Sequence, residues 1–201
     1  MRAICFHGRR ERDMTGDFLL AAQLVGAGAA RASLSSQVRT PMWPSPPGAP
    51  DRAMVRLDTA SLEDMKIPGQ FDIEVIADPD LAVIPPLGNA LRTGGLLLVN
   101  APSPPPVPAD GPSVAAIDMT ALAAGHGASA GYALAGAAWA VLRAMAPEMA
   151  LPLEAIEGAD PPMRKTPTEE SEKALLREAH RMGSEFLVRL NSQRPPGLEA
   201  H

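Results

Sequence analysis

The sequence predicts an α/β, Rossmann-like layered fold: a mostly parallel central sheet flanked by helices, plus a C-terminal helical extension. Three observations carry this reading. Short apolar runs of strand length alternate with stretches of helical spacing from residue 2 to about residue 156. The run at 96–99, Leu-Leu-Leu-Val, is apolar throughout, as a strand buried on both faces of a parallel sheet must be. The chain is 46% apolar but only 3% aromatic, so its core is built from small aliphatic side chains at close backbone approach. The alternation points to a doubly wound sheet with right-handed crossovers. It divides the chain into an α/β domain over 1–158 and a Pro-rich linker, charged helix and mobile tail over 159–201.

Residues 2–7 form the first strand. Helical spacing of Phe18, Leu19, Ala22, Val25 and Ala29 predicts a helix over 16–31. Alternation over 33–38 and again over 52–58 reads as two half-exposed strands, separated by a loop at 40–50 too rich in proline to be regular. Residues 71–77 form a strand that stops at Asp78-Pro79, and a partly helical stretch over 81–92 is interrupted by Pro85 and Pro86. After the strand at 96–99 come a Pro-rich bridge at 102–112, a strand at 114–117 and a short helix at 119–124. The helix at 132–145 is small-sided nearly all round, which requires tight packing against the sheet or another subunit. A further helix begins near 151 with Pro152 in its first turn, and a charged helix over 168–190 carries an apolar stripe of Leu175, Leu176, Met182, Phe186 and Leu190.

Composition narrows function. A net charge of −5 and a pI near 5.4 argue against a nucleic-acid footprint, which needs a clustered positive surface; the one dense basic cluster is the opening loop. The single cysteine, Cys5, excludes a disulfide framework, a Cys-ligated zinc site or an iron–sulfur cluster built from this chain alone, and points to the cytoplasm. The longest apolar stretch, 18–30, is too short to cross a bilayer, and no secretory pattern opens the chain.

The stretch Gly8 to Asp13, GRRERD, follows the first strand and precedes the first helix, where nucleotide-binding folds place a glycine-rich phosphate loop. Bulky side chains at 9–12 remove the close backbone approach that a dinucleotide needs. Two readings stand: Arg9, Arg10 and Arg12 clamp a phosphate with their guanidinium forks, or they are solvated or subunit-facing charges neutralised locally by Glu11 and Asp13. Asp78 and Asp118 lie just past strand ends, the edge where such sheets place ligands, and suit helix capping equally well. His7 and His126 have neither a nucleophile elbow nor a His-x-x-x-His pair beside them. No catalytic or metal-ligating residue is assigned.

In order and spacing the segments resemble the gamma subunit, or gamma domain, of the 2-oxoacid:ferredoxin (acceptor) oxidoreductases, the pyruvate:ferredoxin oxidoreductase family. The resemblance rests on the strand, Gly8 and GDFLLAAQLV; on PPGAPDRAMVRLD; on FDIEVIADPDL with LRTGGLLLVN; and on VAAIDMTALA with GYALAGAAWAVL. Members usually carry Gly-Arg-Gly-Gly-Gln-Gly where this chain has GRRERD, and arginines where it has Ser45-Pro46-Pro47; only Gly8, Arg9 and Gly48-Ala49-Pro50 match those motifs. The resemblance implies a subunit that is inactive alone and scaffolds a hetero-oligomer with alpha, beta and ferredoxin-like delta subunits. Thiamine diphosphate and the iron–sulfur clusters would lie on those chains, and oxidation of a 2-oxoacid would yield an acyl-CoA. Gly8, Arg9, Arg10 and Arg12 would then face coenzyme A phosphates or a partner. A stand-alone nucleotide-binding oxidoreductase and a purely structural assembly subunit are the alternatives.

Overall fold

The structure, a computed structural model, describes residues 1–10, 16–41, 46–64, 66–83, 88, 90–108, 111–161 and 169–193. Strands β1 (Arg2–Arg9), β2 (Ser35–Arg39), β3 (Pro50–Asp58), β4 (Phe71–Ile76), β5 (Leu91–Asn100) and β6 (Ser113–Ile117) form one six-stranded sheet in the order β2-β3-β1-β4-β5-β6. The run β1-β4-β5-β6 is parallel, while β3 pairs antiparallel with both β1 and β2. The helices are α1 (Asp17–Arg31), α2 (Met119–His126), α3 (Ala130–Met145), α4 (Leu153–Glu157) and α5 (Glu170–Gln193), with 3₁₀ turns at Pro79–Val83 and Pro147–Met149.

Register explains how the faces differ. Ile4, Phe6, Val55, Ile73, Val75, Leu96 and Leu98 point to one face and join the residues of α1 and α3 in the main core cluster. Their neighbours Cys5, Met54, Leu97 and Val99 point to the other face, where among the described residues two smaller clusters draw on strands, the turn at Pro79–Val83 and loop residues instead of α-helices. The doubly wound expectation is corrected on this point. The reason is the proline content of the connections: β5 reaches β6 through Pro102, Pro104, Pro105, Pro106, Pro108 and Pro112, a run that cannot supply helical N–H donors.

The helical layer depends on small residues. In α3, thirteen of sixteen residues are buried, between the sheet-side helices and α5. A Cβ on Gly136 would lie 2.3 Å from the Leu176 carbonyl oxygen, and one on Gly28 in α1 would lie 3.0 Å from Ile156 Cα in α4. Trp139, fully buried, donates its indole N–H to the Pro152 carbonyl at 3.2 Å. The charged helix packs into this layer through Leu175, Leu176 and Ala179. The tail residues 194–201 lie outside the described residues. Among the described residues no helix is long and apolar enough to cross a membrane.

Candidate functional site at the carboxyl edge of the sheet

The carboxyl ends of β1, β4, β5 and β6 and the N-termini of α1 and α2 meet at one edge. There β1 runs further than sequence suggests: Gly8 pairs with Asp51 and Arg9 with Pro50, so these two residues are strand rather than loop. Gly8 is glycine for a packing reason. A Cβ there would lie 2.6 Å from the Phe18 ring, the first large side chain of α1.

Arg9 donates from Nε to Asp78 Oδ2 and from Nη1 to the Gly48 carbonyl at 2.9 Å. Arg10 is only 5% exposed. Its Nε lies 3.0 Å from Asp51 Oδ2 without the alignment of a hydrogen bond, its Nη2 donates to the Pro41 carbonyl at 3.3 Å, and its Nη1 has no hydrogen-bond partner among the described residues. Its backbone carbonyl accepts from Gly48 N–H at 2.9 Å. The two arginines thus clamp residues 41 and 48–51 onto the end of β1. Gly48 has φ +82° and open space around it, so the backbone conformation alone demands glycine. Arg12, Glu11 and Asp13 lie outside the described residues.

Both aspartates act locally. Asp78 Oδ1 accepts from Asp80 N–H at 3.0 Å while Oδ2 holds Arg9, and Asp118 caps α2 by accepting from Ala121 N–H at 2.9 Å. Sequence reasoning missed Asn100 and Asp17. Asn100, at the end of β5, donates to the Ala77 carbonyl at 2.8 Å and to Thr120 Oγ1 at 2.9 Å, and accepts from Met119 and Thr120 N–H at 2.9 and 3.1 Å. All four of its side-chain hydrogen bonds are made, joining β4, β5 and α2. Asp17, in the first turn of α1, accepts from Gly131 N–H at 2.9 Å and from the Ser129 hydroxyl, so it caps α3. The signal for Asn100 was an amide directly after a continuous apolar strand. No local pattern marks Asp17, because its partner is more than a hundred residues away.

A cleft of about 570 Å³ opens between α1, α2 and the start of α3, lined by Gly16, Asp17, Leu20, Thr120, Ala123 and Ser129. Its volume lies within the range of small-molecule sites, and its walls are mostly small apolar side chains.

Both histidines have a carboxylate beside them: His7 Nε2 is 3.3 Å from Glu74 Oε1, and His126 Nε2 is 2.8 Å from Glu178 Oε2. Cys5 shares the face of His7 and sits opposite Glu74 in register. Burial, reinforced by Glu74, pushes its thiol up to about 12, so it stays protonated and is a poor nucleophile. Among the described residues no group of three or more His, Cys, Asp or Glu side chains could hold a metal ion.

No family model matches the sequence, and no curated protein matches it significantly. Solved structures do resemble it. The pyruvate oxidoreductase subunit PORC of Thermotoga maritima is 24% identical with a TM-score of 0.65, over 92% of this chain and 95% of that one. The gamma subunit of a keto/oxoacid ferredoxin oxidoreductase from Geobacter sulfurreducens is 19% identical with a TM-score of 0.63, over 94% and 97%. The 2-oxoglutarate:ferredoxin oxidoreductase of Magnetococcus marinus, solved with 2-oxoglutarate, coenzyme A and succinyl-CoA bound, is 17% identical with a TM-score of 0.57; 99% of this chain matches 33% of that longer one. The fold is that of the gamma subunits of these enzymes.

Proposed function

We propose that this chain is the gamma-type subunit of a multi-subunit 2-oxoacid oxidoreductase, in which a 2-oxoacid is oxidatively decarboxylated to an acyl-CoA. The observation that carries the reading is end-to-end agreement of fold with two solved gamma-type subunits, over more than nine-tenths of both chains in each case. The chain's own chemistry supports a scaffolding role. At the carboxyl edge, Arg9, Asp78, Asn100, Asp118 and Asp17 all hold other parts of the same chain. Thiamine diphosphate and iron–sulfur chemistry would be supplied by alpha, beta and ferredoxin-like delta subunits, and the site of work would be the cytoplasm.

Within that reading Gly8, Arg9 and Arg10 position residues 48–51, and Arg12 is the arginine assigned to a coenzyme A phosphate or a partner's acidic surface. Co-expression of this chain with its genomic neighbours tests the proposal. A complex that oxidises a 2-oxoacid with coenzyme A and a viologen dye, and that loses this activity when the chain is omitted, is the expected result. A stable 21.0 kDa monomer that joins no thiamine-binding chain would overturn it. In the complex, Arg12→Ala should raise the KM for coenzyme A. Arg9→Ala and Arg10→Ala should leave that constant unchanged and lower the thermal stability of the subunit.

A further inference from the structure

At the opposite edge of the sheet, where β4 and β5 begin, lies a second cavity of about 370 Å³, away from the carboxyl-edge residues described above. Its charged lining is Arg56, Lys66 and Arg92 against a single carboxylate, Asp64. Each cation is held differently. Arg56, from the middle of β3, is only 5% exposed. Its Nη1 donates to Gln37 Oε1 at 3.2 Å and to the carbonyls of Asp64 and Lys66 at 3.1 and 3.0 Å. Its Nε is buried with no hydrogen-bond partner among the described residues. A guanidinium so fixed cannot swing away, and it places a permanent positive charge at the cavity floor.

Asp64 is already engaged, since Arg56 Nη1 lies 2.7 Å from its Oδ1. Arg92 uses Nη1 on Asp72, at 3.3 and 3.2 Å from the two carboxylate oxygens. Asp72 is itself shared with Arg2 and with the N–H of Ala3. Lys66 is exposed and stands in no ion pair among the described residues. With Arg56 on Asp64 and Arg92 on the Asp72 that Arg2 shares, Lys66 is the one lining cation that no salt bridge among the described residues takes up. The rest of the wall is mixed: Gln70 is polar and the Met1 ammonium is taken by Asp58, while Ile67, 59% exposed, supplies an apolar face with Pro68. A large β-branched side chain left this open beside cations is matched by a ligand with an apolar part next to an anionic head.

We infer that this cavity binds a compact organic oxyanion, a carboxylate or phosphate group on a short apolar stem, with Lys66 and Arg92 taking the head and Ile67 the stem. The size fits: about 370 Å³ is near the lower end for small-molecule sites. The inference does not depend on the proposed assembly, because every residue in it belongs to this chain.

Isothermal titration calorimetry on the purified full-length chain tests it, at constant ionic strength, with four probes: hexanoate, butyl phosphate, acetate and inorganic phosphate. Saturable binding of hexanoate or butyl phosphate is expected, with whichever head group wins identifying the natural class. The stemless counterpart should bind about tenfold more weakly. Lys66→Gln and Arg92→Gln should each weaken the stemmed probe about tenfold, and Ile67→Ser should reduce it to the level of the stemless one. Lys66 and Ile67 are exposed, so those two variants fold even if Arg92→Gln does not. The proposal fails if no probe saturates, if the stem makes no difference, or if Lys66→Gln binds as the unaltered chain does.

Discussion

Around Gly136, α3 and α5 come so close that no side chain fits between the Gly136 Cα and the Leu176 carbonyl. Around Asn100 the space is governed by directed hydrogen bonds, four of them made by one amide to two other segments. The first region is held by close packing of alanine and glycine, where energy follows volume and backbone separation. The second is held by polar geometry, where energy follows whether each donor and acceptor keeps its partner. The contrast teaches where this chain tolerates change: the helical layer resists added atoms, and the strand ends resist lost ones.

The hardest test of the contrast is Gly136→Val. The new atoms would meet backbone that cannot rotate aside, and a loss of about 3 kcal/mol is expected in urea denaturation, from the cost of overpacking. If this variant is as stable as the parent, the helical layer is not packed as described. Asn100→Ala comes next. It strands the buried N–H of Met119 and the N–H of Thr120, and should cost about 2 kcal/mol by the same measurement. Asn100→Asp keeps the two acceptor bonds and loses the donors to Ala77 and Thr120, so it should fall between parent and Ala.

A smaller effect is expected at the Arg9–Asp78 pair, whose side chains are 37% and 23% exposed. Asp78→Ala should cost under about 1 kcal/mol, and part of that cost should vanish in about 0.5 M salt as the charges are screened. A salt-independent loss would mean that Asp78 matters through its turn at Asp80 and not through Arg9.

The least effect sharpens the comparison from within the helical layer, which has a polar exception. His180 on α5 has a buried Nε2 with no hydrogen-bond partner among the described residues. Burial, with the Arg143 charge adding and Glu157 opposing, holds its pKa below the usual 6.5. The unfolded chain therefore takes up a proton at a higher pH than the folded one. The contribution is complete above about pH 6.5 and is lost as the pH falls below it through the folded value. Urea midpoints should decline on acidification in the parent, and His180→Leu should reduce that decline. An unchanged decline would assign it to carboxylates elsewhere.

Much of the fold was legible because it rests on local periodicity. The strand at 96–99 and the helices beginning near 16 and 132 announce themselves by apolar spacing, and the order of segments carries the resemblance to gamma subunits. The capping role of Asp118 was also readable, since a cap and its helix are neighbours in sequence. Other features were not legible. Asp17 capping α3, Asn100 tying β4 to α2, and Arg9 reaching Asp78 all join residues that only the fold brings together. Gly8 is the clearest case. In sequence it stands where a phosphate loop would begin, and in the structure it is strand, made glycine by Phe18.

The sequence by itself determined the alternation of elements, the small-residue core and the absence of a glycine-rich phosphate loop, because these depend on residue type and spacing along the chain. Tertiary structure alone decided which face the helices cover, which charges are already paired, and that Arg56, Lys66 and Arg92 meet at one cavity. Charge pairing and cavities are properties of distances through space, and a chain fixes those distances only once its strands have found their register.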